Sequence, residues 1–234
     1  SATTHRNRQT VNFDLIMKIT QATALNEYLS VFSLIYETYL QRNYIKPNLV
    51  NLYLSAKHLE PETQIWIGCK DDTVIITTSI FAHTDRSPIP SYEAFPDEIT
   101  KLCQQQQRIG EVGFLASRLN SYKFLNNFLS IIYNIASRYL DTAIICCHPK
   151  HKFYYENIWK FEQIGEERPI ARVNNAPGIL MATAFQTDKL PESIKETVKQ
   201  NEDYGYLSQD KKLTDEDYKN LNEIYKMVLS TQQL

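Results

Sequence analysis

Residues His148–Pro177 read HPKHKFYYENIWKFEQIGEERPIARVNNAP and follow the run LDTAIICC, Leu140–Cys147. The earlier run has the length and apolar continuity of a strand buried on both faces. Pro149 then breaks it, and Lys150–Trp159 reads as a short helix carrying Tyr154 and Tyr155. Phe161–Glu166 returns to strand. This succession sets a helical tyrosine hydroxyl beside the end of a central strand, where a bound reactant is accessible.

Outward from there, the elements alternate. Upstream, Ser121–Tyr139 places Phe124, Leu125, Phe128, Leu129, Ile132 and Ile135 along one helical side. Before it Arg108–Ser117 (RIGEVGFLAS) reads as a strand with Gly113 inside it, a mark of a bulge or a close approach. Pro96–Gln106 is a helix with proline in its first turn, and His83–Pro96 is a loop with three prolines. Gln64–Lys70 and Thr73–Ala82 flank Asp71-Asp72 as a hairpin. Thr23–Gln41 carries an apolar helical stripe from Leu25 to Tyr39, Asn48–Leu59 is irregular or briefly helical, and Val11–Ile19 is a first strand. Ile179–Phe185 is the last strand. Leu190–Asn201 and Leu213–Leu229 are polar helices, the second opened by Thr214 and Asp217 in a capping-box arrangement. The expected class is α/β, a mixed sheet flanked by helices. The expected division is a loose segment 1–10, a domain 11–186 and a helical extension 187–234.

Among 234 residues, 43% are hydrophobic and 22% charged, the balance of a globular chain large enough for a real core. A net charge of −2 gives no reason to expect nucleic acid. No apolar run reaches the ~18–20 residues of a membrane span and no signal peptide is evident, so a cytoplasmic protein is expected. The four cysteines are too few for a disulfide scaffold and read as reduced thiols. Cys146 and Cys147 should face opposite sides of their strand. With Pro149 between them and His151, and no second ligand pair elsewhere, no metal site is expected.

The pattern His148, Pro149, His151, Tyr155, Phe161, Gly165, Arg168, Val173, Asn174, Ala176, Pro177 resembles the N-acyl amino acid synthases. These are acyltransferases of the GNAT type, related to acyl-homoserine-lactone autoinducer synthases. The resemblance implies a GNAT-like fold and transfer of a fatty acyl group from an acyl-carrier-protein thioester to the amine of an amino acid. Such a transfer needs a base for the amine, a group to receive the departing sulfur, and fixed N–H donors for the carbonyl oxygen. Two parallel strands that splay leave such donors unused, and Arg108–Ser117 and Leu140–Cys147 are the candidates for that pair.

Glu111 is the base candidate, a carboxylate in a strand with few polar neighbours. In the resembling families a Glu stands there in a pattern like E-x-S-x-L-A, against Glu111-Val112-Gly113-Phe114-Leu115-Ala116 here. Autoinducer synthases carry Ser at Gly113 and Arg at Phe114, which argues against a homoserine-lactone-type acceptor. Tyr155 is the acid candidate, matching the Tyr of F-Y-x-x-L-x-G-F, with Lys160 in the glycine's place and a different turn expected there. Phe114, Leu115 and Ala116 are expected at the substrate. Asp85, in a partial match to the family's D-S-x-x-G-L-P loop, is expected at the acceptor ammonium. The segment with Arg168, Arg172 and Asn174 is expected at its carboxylate.

Coenzyme-A-dependent relatives follow the central strand with a glycine loop for the pyrophosphate. Arg118–Lys123 contains no glycine. This favours an acyl-phosphopantetheine donor on a carrier protein over acyl-coenzyme A, with no resident cofactor. Carriers of this kind are acidic, which makes Arg118, Lys123, Arg138, Lys150 and Lys152 the expected docking charges. Three other readings stand beside this one: an autoinducer synthase, a coenzyme-A-dependent acetyltransferase, and a non-catalytic acyl or lipid sensor on the same fold.

Overall fold

The computed structural model describes residues 17–105, 108–203 and 213–232. Strands β1 (Lys18–Gln21), β2 (Gln64–Lys70), β3 (Thr73–Ala82), β4 (Ile109–Ser117), β5 (Thr142–Cys147), β6 (Glu162–Ile170) and β7 (Ala176–Ala184) form one sheet. Their order is β1-β2-β3-β4-β5-β7-β6. Helix α1 (Leu25–Gln41) follows β1, α2 (Pro96–Cys103) precedes β4, α3 (Tyr122–Tyr139) links β4 to β5, and α4 (Lys152–Ile158) follows β5. Helices α5 (Glu192–Gln200) and α6 (Asp215–Gln232) complete the chain. Most of the expected first strand, and all of the segment 1–10, lies outside the described residues. No helix among the described residues is long and apolar enough to cross a membrane.

Local chemistry explains the turns. Asp71 and Asp72 take φ of 48° and 59°, the two left-handed residues of a tight hairpin whose twist matches its strands. Lys160 corrects an expectation. Its φ is 57°, so the turn keeps the conformation a glycine would favour and lysine bears the steric cost. The turn is tied on both sides of Lys160, since the Tyr155 carbonyl accepts from the N–H of Trp159 (3.1 Å) and of Phe161 (3.2 Å). The α6 cap also forms: Thr214 N–H donates to Asp217 Oδ2 (2.8 Å) and Asp217 N–H to Thr214 Oγ1 (3.1 Å).

The sheet is covered on both faces. On one, Tyr28, Phe32 and Ile35 of α1 pack with Phe81, Phe95, Ile99 and Phe114. On the other, Phe128, Ile131, Ile132 and Ile135 of α3 pack with Trp66, Ile76 and Ile80. The two C-terminal helices go to different faces. Helix α5 lies on α3, where Asn134 Nδ2 donates to the Val198 carbonyl (2.7 Å) and Asn201 Nδ2 to Ser130 Oγ (2.7 Å). Helix α6 joins the α1 side, and its Leu221 and Val228 are buried in that core. This explains why α1 buries more than its expected stripe, Val31 and Leu34 included: it is covered on its outer side as well. Leu221→Ala is therefore expected to destabilise the whole domain by about 2–5 kcal/mol, read as a shifted denaturant midpoint. An unchanged midpoint would show that α6 folds as a separate appendage.

The central feature is where β4 and β5 part. They pair in parallel only through Ile109↔Thr142, Gly110↔Ala143 and Glu111↔Ile144. Below the pairing, Arg108 Nη2 meets Asp141 Oδ1 at 2.7 Å and Nε meets Oδ2 at 3.2 Å, a forked pair tying the two strand starts. Beyond Glu111 the ladder stops. One extra residue enters β4 opposite Thr77–Ser79, with Phe114 at φ 55°, and such a bulge bends its strand. The facing edges of Val112–Leu115 and Ile145–Cys147 are left outside the β4–β5 ladder.

Candidate active site

The parted strands open into a cleft of about 310 Å³ walled by β4, β5, the start of α3, the end of α1 and α4. Two smaller cavities adjoin it. One of about 90 Å³ lies on the α1 face and is lined by Glu111, Arg172, Cys146 and Tyr39. The other, about 60 Å³ and apolar, runs toward α3 between Val112, Leu115, Leu129, Ala143 and Phe161. Tyr155 lines both the cleft and the apolar cavity.

Alternation along β4 turns Glu111 to the α1 face, where it is 2% exposed. Its Oε2 accepts from the Ser91 N–H at 2.7 Å, and Arg172 Nη2 lies 3.6 Å from Oε1. Burial pushes the carboxyl above its ordinary value, while Arg172 and Ser91 pull it partly back. The outcome is a carboxylate that holds its proton to a higher pH than usual, as a base for an amine requires. Gly113 leaves room beside it: a Cβ there would stand 3.3 Å from Glu111 Oε1.

Tyr154 and Tyr155 separate clearly. Tyr154 Oη donates to Asn126 Oδ1 (2.6 Å) and accepts from Trp159 Nε1 (3.1 Å), so it is committed to the helix packing. The ring of Tyr155 packs against Tyr154 and Phe161, and its hydroxyl has no hydrogen-bond partner among the described residues. Burial drives its ionisation above the ordinary range, which keeps it a neutral donor. Glu111 thus approaches the splay from the α1 face and Tyr155 from the α3 face.

The cysteines diverge as strand geometry requires. Cys146 faces the Glu111 side, and the Cys147 thiol lies 3.7 Å from Met181 Sδ. Burial raises Cys146 to about 11 and Cys147 to about 12, so both are thiols rather than nucleophilic thiolates at neutral pH. His148 and His151 line the cleft, and burial holds both below the ordinary imidazole value. No group of three His, Cys, Asp or Glu among the described residues converges as a metal set.

Several expected binding residues are placed elsewhere. Arg168 Nη2 pairs with Glu98 Oε1 at 2.5 Å, its Nη1 donates to the Ala94 carbonyl, and the guanidinium lies over Phe95. It is thereby held on the α2 side, away from the cleft. Asn174 occupies the β6–β7 turn at φ 54° with its amide toward the Asn43 carbonyl (3.4 Å). Asp85 sits in a turn closed by Thr84 and Ser87 and does not line the cleft; its loop contributes the Ser91 N–H instead. Phe114 is 6% exposed, its ring 4.5 Å from that of His58, so its side chain is core and only its segment borders the cavity. Leu115 lines the cleft, whereas Ala116 is buried away from it.

Among the docking charges, Arg118 is folded back onto Glu37 (2.8 Å) and the Val74 carbonyl (2.9 Å). Arg138 stands at the far end of α3, ~22 Å along the helix from Lys123. Lys123, Lys150 and Lys152 remain near the mouth, next to exposed Tyr122 and Phe153. Ser91, Arg42 and Tyr44 were not singled out by sequence. They reach the site through long-range packing, and no local spacing marks them.

Solved structures of similar shape share this fold. The N-acyl amino acid synthase FeeM from uncultured soil microbes superposes with a TM-score of 0.64 at 19% identity, covering 72% of this chain and 90% of its own. The coenzyme-A-dependent acyl-homoserine lactone synthase BjaI, solved with SAM and isopentyl-CoA, gives 0.57 at 10% identity over 88% of this chain and 99% of its own. An acyl-CoA N-acyltransferase from Pseudomonas aeruginosa gives 0.51 at 12%, over 72% and 99%. No curated protein sequence matches the chain. The family model of the N-acyl amino acid synthase FeeM matches residues 30–184, which include the splayed strands, Glu111, Tyr155 and the HPKHKFYY turn. The chain belongs to the N-acyl amino acid synthase family of GNAT-like acyltransferases, and it is an N-acyltransferase.

Proposed function

We propose that the protein moves a fatty acyl group from the phosphopantetheine thioester of an acyl carrier protein to the α-amine of an amino acid. The observation that carries this reading is the splay itself, with a raised-pKa carboxylate on one face, an uncommitted phenol on the other and an apolar cavity behind. The thioester lies along the open edges of β4 and β5, whose free N–H groups meet the carbonyl oxygen as it gains charge. Glu111 takes the ammonium proton, and the freed amine attacks the carbonyl carbon. As the C–S bond breaks, the nitrogen loses its second proton, Tyr155 donates a hydrogen bond to the departing sulfur, and that proton ends on the sulfur while the one held by Glu111 passes to solvent. The products are an amide and a free pantetheine thiol.

The carrier-bound donor is supported by the absence of glycine from Arg118–Lys123 and by Arg118 being engaged with Glu37. Lys123, Lys150 and Lys152 with Tyr122 and Phe153, 72% and 77% exposed, offer an acidic partner both charge and apolar contact at the mouth. Discharge of acyl-carrier protein and of acyl-coenzyme A is compared across an amino acid panel. Thiol release that needs both the carrier-bound donor and an amino acid supports the reading; preferential release from acyl-coenzyme A, or lipid binding without release, overturns it.

The acyl tail is assigned to the cavity between α3 and β5. Ala143, 2% exposed, projects into it. Ala143→Leu fills that space and is expected to lower kcat/KM for long chains by roughly tenfold or more, at ~1 kcal/mol per excluded methylene, while short chains are spared. Equal loss at all lengths in a donor panel would place the tail elsewhere.

A further inference from the structure

We infer that Arg42 binds the α-carboxylate of the acceptor and so selects amino acids over simple amines. This rests on the acyltransferase reading and names the specificity element of the same site. The site must hold two charges of one small molecule: an ammonium near Glu111 and, two bonds away, a carboxylate. The other two arginines proposed for that carboxylate are engaged with other groups. Arg168 is held by Glu98 and Ala94. Arg172 Nη1 donates to the Pro90 carbonyl at 2.7 Å, its Nη2 faces Ser91 Oγ and Glu111, and its own carbonyl accepts from Tyr53 Oη at 2.6 Å.

Arg42 differs. Its backbone N–H caps the end of α1, while its side chain is exposed, lines the cleft, and has no hydrogen-bond or ion-pair partner among the described residues. It shares the wall of the cleft with Tyr39, His151 and Tyr155. Tyr39 borders both spaces, lining the cleft with Arg42 and the smaller cavity with Glu111 and Arg172, and its hydroxyl has no hydrogen-bond partner among the described residues. An amino acid whose amine faces Glu111 beside Tyr39 turns its carboxylate toward the cleft, where Arg42 offers a forked donor. A pantetheine phosphate would lie a full pantetheine arm from the thioester, whereas Arg42 lines the same cleft as Tyr155.

The test uses the full chain with a carrier-bound acyl donor and matched acceptors: an amino acid, its amide and its methyl ester. Arg42→Ala is expected to raise KM for the amino acid on the order of tenfold or more, leave KM for the amide and ester nearly unchanged, and leave the donor KM unchanged. Arg42→Lys should recover part of the loss. An exposed site makes misfolding improbable as a cause, and an unchanged melting temperature checks it. Three outcomes overturn the inference: an unchanged amino acid KM, an equal loss for all three acceptors, or a loss confined to the donor KM, which reassigns Arg42 to the donor phosphate. If the wild-type KM for the amide and the ester equals that for the amino acid, this inference falls while acyl transfer stands. If wild type discharges with no acceptor, both fall.

Discussion

Glu111→Gln is expected to slow acyl transfer by roughly 10²- to 10⁴-fold, the range for a general base, without loss of the fold. The amide keeps the shape and can still accept from the Ser91 N–H, but it cannot take a proton. A pH series separates this from a steric effect. Because burial outweighs Arg172 and Ser91 at this carboxyl, the wild-type rate should rise with pH through a limb above the ordinary carboxylate range of ~4–4.5, and the variant should lack that limb. Stability moves the other way. A carboxyl whose folded pKa is raised adds nothing unfavourable below its unfolded value and becomes costly as pH climbs through the folded one. Wild-type melting temperature, measured against the Gln variant, should therefore decline over that same window. A Gln variant with the wild-type rate and acid limb would remove Glu111 from the chemistry.

Tyr155→Phe should lower turnover on the order of 100-fold, comparable to the loss of one fixed hydrogen-bond donor at a developing charge. The ring contacts with Tyr154 and Phe161 survive the change, and no hydrogen bond among the described residues is broken, so stability should hold. Since burial pushes the phenol's ionisation up, full proton transfer from it to a thiolate is uphill. Its part is a hydrogen bond that stabilises the leaving sulfur. The loss should therefore shrink with donors whose thiol is a better leaving group, such as thiophenyl esters, and be largest with alkyl thioesters. An equal loss for both donor types would make Tyr155 a wall of the cleft rather than a partner of the sulfur. Tyr154→Phe is the control, because its hydroxyl serves Asn126 and Trp159 instead.

The family resemblance singled out these two positions, and local geometry accounts for the faces they take. Glu111 is a lone carboxylate in an apolar strand, and strand alternation alone commits it to a face. Tyr155 lies one turn before a break, and the helix phase separates it from Tyr154. Element order, the Asp71-Asp72 hairpin, the Thr214–Asp217 cap and the opposed cysteines follow in the same way, from periods of two and 3.6 residues and from turn chemistry. The Lys160 turn was misjudged because lysine seldom takes a left-handed φ; the bonds from Trp159 and Phe161 to the Tyr155 carbonyl hold it there.

What the chain determined by itself was thus the alternation of strands and helices and the two side chains presented at the strand ends. Only the tertiary structure decided which cations are paired away and which line the cleft. Arg168 finds Glu98 at a separation of 70 residues and Arg118 finds Glu37 at 81, whereas Arg42 is left open over the cleft. A long flexible side chain points wherever its partner lies, and such partners are brought together by sheet order and helix packing, which no local periodicity encodes.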